Sequence, residues 1–149
     1  MSVKRLVRSA LVAYSAPQMF DLVNAIEDYP KFMDGCVSAR VLQRGEDWLE
    51  ARLELQKMGI RHAFTTRNTL NAPERMTLQL VDGPFKTFLG VWQFTTLTPT
   101  ACKVEFELNY EFANALLGLA AGKWMELVAT EQVDALCRRA KQVYGGAVG

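Results

Sequence analysis

Catalysis needs ionisable or nucleophilic side chains at workable spacings, and this chain offers few. Its single histidine, His62, is the only imidazole that could act as a general base, yet it lies between Arg61 and Ala63 within an alternating run. It has no carboxylate or nucleophile beside it in sequence, so a structural or exposed role suits it better. Cys36, Cys102 and Cys137 are widely spaced and make neither a zinc-ligand pattern nor a disulfide framework, which fits a reducing compartment. Glu105, Glu107 and Glu111 fall on the polar face of one strand, where solvation is the default over paired acid and base work. No glycine-rich phosphate loop and no nucleophile elbow is present. No catalytic residue and no metal set is expected.

The residues that stand out are suited to binding. Tyr29, Phe32, Phe64, Phe85, Phe88, Trp92, Phe94, Phe106 and Tyr110 point toward the interior of their elements. Taken singly each reads as core. Taken with a facing helix that carries Gly122, Met125 and Ala129, they outline an apolar pocket. Arg67 could lend that pocket a polar group, but a surface pair with a carboxylate is the better reading. Two basic clusters remain, Lys4, Arg5 and Arg8 near the start and Arg138, Arg139 and Lys141 near the end. Each reads as a solvated face or as a contact for RNA phosphates.

The elements that must position these residues are legible from period and punctuation. Val3 to Tyr14 forms a first strand. Ser15 and Gln18 make a capping box that opens a helix bearing Met19, Phe20, Val23 and Ile26, with Pro17 in its first turn. Asp28 is placed to cap a short helical turn through Tyr29, Pro30, Lys31, Phe32 and Met33, ending at Gly35. From Val37 to Phe112 the period is twofold. Turn signals at Gly45 to Asp47, Met58 to Gly59, Asn71 to Pro73, Asp82 to Pro84 and Thr98 to Thr100 divide that region into six strands. Asn114 then caps a helix running to Tyr144, with Gly145 and Gly146 as its stop. Its apolar stripe is Gly118, Gly122, Met125, Ala129, Val133, Leu136, Ala140 and Val143, and its other face carries Lys123, Glu131, Asp134, Arg138 and Lys141. The glycine end of that stripe brings the sheet very close or leaves a gap.

These elements predict an α+β helix-grip fold. A seven-stranded antiparallel sheet wraps a long C-terminal helix, with two short helices after the first strand. Residues 1–149 form one domain, and a chain of that length buries roughly 70% of its unfolded surface. Net charge is +1 with half the residues hydrophobic, which excludes disorder and a strongly nucleic-acid-coated protein. The run from Ala10 to Ala13 is too short for a signal peptide, and the run around Gly118 too short for a membrane span.

Three runs carry a resemblance as a set: Tyr29 to Cys36, Asp82-Gly83-Pro84-Phe85-Lys86-Thr87-Phe88-Leu89-Gly90-Val91-Trp92-Gln93-Phe94, and Arg139 to Tyr144. They resemble the coenzyme Q-binding START-domain family (polyketide cyclase/dehydrase-like). Phe64-Thr65-Thr66-Arg67-Asn68 and Val81 to Lys86 are similar to its bacterial ribosome-association toxin branch in particular. One departure is Asp34, where the family often has proline. The resemblance implies a hydrophobic cavity that holds ubiquinone or a similar isoprenoid or lipid, with no required cofactor, in a non-enzymatic protein that supports respiration. For the toxin branch it implies binding to the large ribosomal subunit, a block on subunit association, and an antitoxin as a further partner. DNA is not an expected partner. The expected ligand contacts are Tyr29, Phe32, Phe64, Phe85, Phe88, Trp92, Phe106, Tyr110, Gly122, Met125 and Ala129. The expected location is cytoplasmic, with the inner-membrane surface as an alternative. An aromatase/cyclase-type enzyme on the same fold would need converging polar groups, and Arg67, Tyr110 and Cys36 are its only candidates.

Overall fold

The computed structural model describes residues 3–57 and 59–145, with the side chain of residue 57 also outside the description. The order is β1 (Lys4–Val12), α1 (Ala16–Asn24), a 3-10 turn (Ile26–Asp28), α2 (Tyr29–Phe32), β2 (Cys36–Arg44), β3 (Trp48–Lys57), β4 (Ile60–Asn71), β5 (Arg75–Asp82), β6 (Phe85–Thr98), β7 (Ala101–Phe112) and α3 (Ala115–Tyr144). The strands form one antiparallel sheet in the order β1-β7-β6-β5-β4-β3-β2, so the chain returns from the first edge to the second and meanders back. This is the expected helix-grip arrangement.

Local chemistry explains most of the boundaries. Ser15 and Gln18 exchange hydrogen bonds at the start of α1, satisfying two otherwise orphaned backbone donors. At the start of α3 the Asn114 side-chain oxygen accepts from the Leu117 N–H at 2.8 Å. Asp28, in contrast, makes no capping hydrogen bond to α2; it lies in helical conformation and pairs with Lys31 at 3.1 Å instead. In β7 burial alternates residue by residue, from Cys102 to Phe112, as a sheet with one covered face requires. Gly35 takes a left-handed φ of 88° in the turn from α2 into β2, a conformation that favours glycine. The Met58 part of the second turn and Gly146 lie outside the described residues.

Helix α3 lies across the concave face and packs along β1 and β7, buttressed by α1 and α2. Met125, Ala129, Val133, Leu136 and Ala140 are buried beneath it, while Val143 is 47% exposed. The last turn is held by Tyr144 instead, whose hydroxyl donates to the Gln18 carbonyl at 3.0 Å and whose ring meets Tyr14. Lys4–Glu126 and Arg8–Asp134 ion pairs tie the helix to the edge strand at 3.2 and 3.7 Å. These pairs are exposed and contribute little each, so the burial of the helix carries the attachment. Leu136→Ala, at a fully buried position, is expected to lower unfolding free energy by about 2–5 kcal/mol in urea denaturation. Leu119→Ala, at an 87% exposed position of the same helix, is expected to stay within about 0.5 kcal/mol of the parent.

Candidate functional site

Because α3 packs along β1 and β7, the middle of the sheet is not fully covered, and a cavity lined by residues of β2 to β7 lies there. Its walls are Tyr29 and Met33 from the α2 region, Cys36, Leu53, Leu55, Phe64, Leu78, Phe88, Trp92, Phe106 and Leu108 from the sheet, and Met125, Val128, Ala129 and Gln132 from α3. The free space between these side chains is well below the roughly 300–1,000 Å³ of small-ligand pockets. Only ≈ 60 Å³ of it admits the centre of a water-sized body. A single such centre occupies about 10–15 Å³, so any larger guest requires the lining to move. The lining contains Met33 and Met125, the most adaptable of core side chains.

The aromatic wall is built by cross-strand pairing. Trp92 and Phe106 are register partners with ring centroids 4.5 Å apart, and Phe88 meets Phe64 and Phe85 at 5.5 and 5.1 Å. Gly83 fixes the approach of the Asp82-Gly83-Pro84 turn to this wall, since a Cβ there would lie 2.8 Å from the Phe64 Cβ. The few polar groups in the lining are engaged. Tyr29 donates to the Val23 carbonyl, Gln132 Nε2 to the Val128 carbonyl at 3.0 Å, and Cys36 Sγ to the Ser38 carbonyl at 3.6 Å. Burial raises the Tyr29 phenol and pushes the Cys36 thiol up to about 11. Groups held neutral and hydrogen-bonded in this way present an apolar surface to a guest.

Of the contacts expected from the sequence, Tyr29, Phe64, Phe88, Trp92, Phe106, Met125 and Ala129 line the cavity, while Phe32, Phe85, Tyr110 and Gly122 do not. Phe85 lies behind Phe88 and Phe64, and Phe32 lies under the Arg139 guanidinium, 5.5 Å from its ring centre. Gly122 faces away from the walls, and a Cβ on it would meet nothing within 4 Å. A Cβ added at Gly118 would meet only the Phe112 ring, in ordinary contact at 3.9 Å, so the sheet does not come very close to the glycine end of the stripe. His62 stacks edge-on against Trp124 at 5.3 Å on the inner face. Arg67 forms the expected surface pair, with Glu50 at 3.7 Å, and lies over the Trp48 ring at 4.2 Å. Among the described residues no group of three or more potential metal ligands gathers, and no helix is long and apolar enough to cross a membrane.

The basic clusters are rearranged by the fold. Lys4, Arg5 and Arg8 are each paired with a carboxylate, Arg5 with Glu107 at 2.9 Å. A different cationic surface forms on the outer face of β2 to β5, where Arg40, Arg52, Arg61, Arg67 and Arg75 outnumber Glu50 and Glu54. Because these five arginines are spread over four strands, with Arg61 and Arg67 both on β4 but six residues apart, no run of basic residues announces them.

Against known proteins, the model of a family described as polyketide cyclase/dehydrase and lipid transport matches residues 12–137. A Vibrio cholerae protein named ribosome association toxin RatA is 46% identical over 143 residues, covering 96% of this chain and 99% of that one. A Drosophila melanogaster protein named coenzyme Q-binding protein COQ10, mitochondrial, is 25% identical over 142 residues, 93% of this chain and 59% of its own length. The crystal structure of the Zhui aromatase/cyclase from Streptomyces superposes with a TM-score of 0.84 at 16% identity, covering 99% of this chain and 100% of that one. At that identity the likeness concerns the fold.

The Cys36 thiol offers a check on the dryness of the cavity. Since burial raises its pKa to about 11, alkylation of Cys36 in the folded protein at pH 8 is expected to be at least 100-fold slower than in the unfolded chain, at roughly tenfold less thiolate per unit. The folded state holds this proton more tightly, so its contribution to stability is intact below the unfolded thiol's pKa and is lost as the pH climbs through about 11. Peptide mass spectrometry after timed iodoacetamide treatment measures the rate, and fast labelling at pH 8 would mean the cavity is wet.

Proposed function

Since the chain belongs to the polyketide cyclase/dehydrase and lipid transport family, we propose that it is a non-enzymatic carrier that holds ubiquinone or a similar isoprenoid lipid between its sheet and α3 in support of respiration. The observation that carries this reading is the lining, which is aliphatic, aromatic or sulfur-bearing apart from Gln132 and Tyr29, and Tyr29, Cys36 and Gln132 each donate a hydrogen bond to a backbone carbonyl. Such walls suit an apolar guest, and they supply no free acid, base or nucleophile to act on it. The name of the Drosophila relative agrees with a quinone as that guest. A quinone partitions into bilayers, so the protein would work in the cytoplasm and visit the inner-membrane surface; Leu116 and Leu119, 77% and 87% exposed on α3, favour such contact.

A second reading concerns the outside of the molecule: binding to the large ribosomal subunit, a block on subunit association, and control by an antitoxin. It is favoured by the name of the Vibrio relative and by the arginines on the outer face of β2 to β5, which suit RNA phosphates. The two readings use opposite faces of one sheet.

Trp92 lies in the wall and makes the first reading measurable. Added decylubiquinone is expected to quench tryptophan emission saturably, and Ala129→Phe, which fills the cavity, to weaken binding at least tenfold while the variant still melts cooperatively. Linear, non-saturating quenching by both proteins would remove the carrier reading. For the second, excess purified protein is expected to shift 70S ribosomes toward free subunits in sucrose gradients, less so with Arg40→Glu and Arg75→Glu together. An unchanged profile would remove it.

A further inference from the structure

Two buried hydrogen-bond donors flank the α3 turn that lines the cavity. Tyr110 is 2% exposed and Trp124 1% exposed, yet the Tyr110 hydroxyl and the Trp124 Nε1–H have no protein hydrogen-bond partner among the described residues. Leaving such a donor buried and unmatched costs about 1–3 kcal/mol, so two beside one turn are a liability unless something meets them. Neither is part of the wall, but both adjoin residues that are. Trp124 adjoins Met125 in sequence, and Tyr110 is the register partner of Phe88 and lies two residues from Leu108 on the same strand face; Met125, Phe88 and Leu108 are all in the wall. Burial first, and the charge of Glu126 second, push the pKa of the Tyr110 hydroxyl up to about 12.

A guest larger than a few waters needs room beyond the ≈ 60 Å³ now free, so the lining must move to admit one. The chemistry of the partner follows from the donors. A phenol can give or accept, but an indole N–H can only give, so a group serving both sites must be an acceptor.

We infer, resting on the carrier reading above, that the ligand has an oxygen acceptor on an otherwise apolar body, a ring carbonyl in particular, and that the buried Tyr110 hydroxyl receives that oxygen when the lining opens. Tyr110 is then a specificity residue that distinguishes a quinone or ketone from a hydrocarbon of equal size. The aliphatic and aromatic walls take the remainder of the molecule.

The test compares decylubiquinone with decylbenzene on the parent protein and on Tyr110→Phe. Removal of a hydroxyl without a partner is expected to leave the melting temperature of the empty protein equal or higher. It is expected to weaken decylubiquinone about 3- to 10-fold, the worth of one neutral hydrogen bond, and to leave decylbenzene unchanged. The infrared carbonyl stretch of bound decylubiquinone should lie lower in the parent than in the variant, a shift that a purely structural tyrosine would not produce. Equal affinities of parent and variant for both probes, with an unchanged carbonyl band, would overturn the inference and leave the carrier reading standing. A melting temperature lowered by several degrees without any change in quinone binding would show that the hydroxyl serves the fold, through a buried water for example, and would overturn it too. Binding of neither probe by the parent would overturn both readings together.

Discussion

Helix α3 cannot cover the whole sheet, and where it sits decides everything else. A seven-stranded antiparallel sheet is wider than one helix, and α3 lies along β1 and β7, pinned by the burial of Val133, Leu136 and Ala140 against α1 and the strands. The exposed pairs Lys4–Glu126 and Arg8–Asp134 mark that edge without holding it. The apolar face of β3 to β6 must then be shielded by something else. Part of the shield is the short α2 segment with Tyr29 and Met33; the rest is the aromatic wall itself, folded over the cavity.

Two consequences follow for function. Inside, the uncovered region is a largely apolar space in which Tyr29 and Gln132 donate to backbone carbonyls. That space is small at rest, so loading it means rearranging methionines and aromatics, a process that couples occupancy to the stability of the grip. Outside, the same strands present the opposite set of side chains. Twofold alternation places the arginines of β2 to β5 on the outer face because their neighbours Leu49, Ala51, Leu55 and Phe64 are buried on the inner one. A single pattern thus builds a greasy interior and a cationic exterior, and the two can serve different partners.

Much of this was legible in the residues. The Ser15–Gln18 box, the Asn114 cap and the alternation of β7 are local devices, and local devices are visible in sequence. The aromatic half of the cavity was legible for the same reason, since large inward residues on neighbouring strands meet. What escaped is set by tertiary placement. Leu53, Leu55, Leu78, Leu108 and Val128 look like any core residue until the offset of α3 leaves them unpartnered. Gly122 was expected in the pocket because small residues suggest room, but the helix is rotated so that this room lies beside the walls and not within them. Asp28 has a cap's identity without its geometry, and Val143 continues a stripe past the point where Tyr144 takes over the contact. The arginine face needed four strands to be aligned before it existed at all.

The most direct measurement is a methyl NMR titration of the 13C-methyl-methionine-labelled protein with decylubiquinone. Met33 and Met125 are in the cavity wall, whereas Met19 and Met76 are fully buried elsewhere in the core. A ligand between sheet and helix should move the Met33 and Met125 methyl signals to saturation and give contacts from both to the quinone ring or tail, with Met19 and Met76 little changed. Saturating binding that leaves Met33 and Met125 in place would put the quinone on the surface and contradict the interior site.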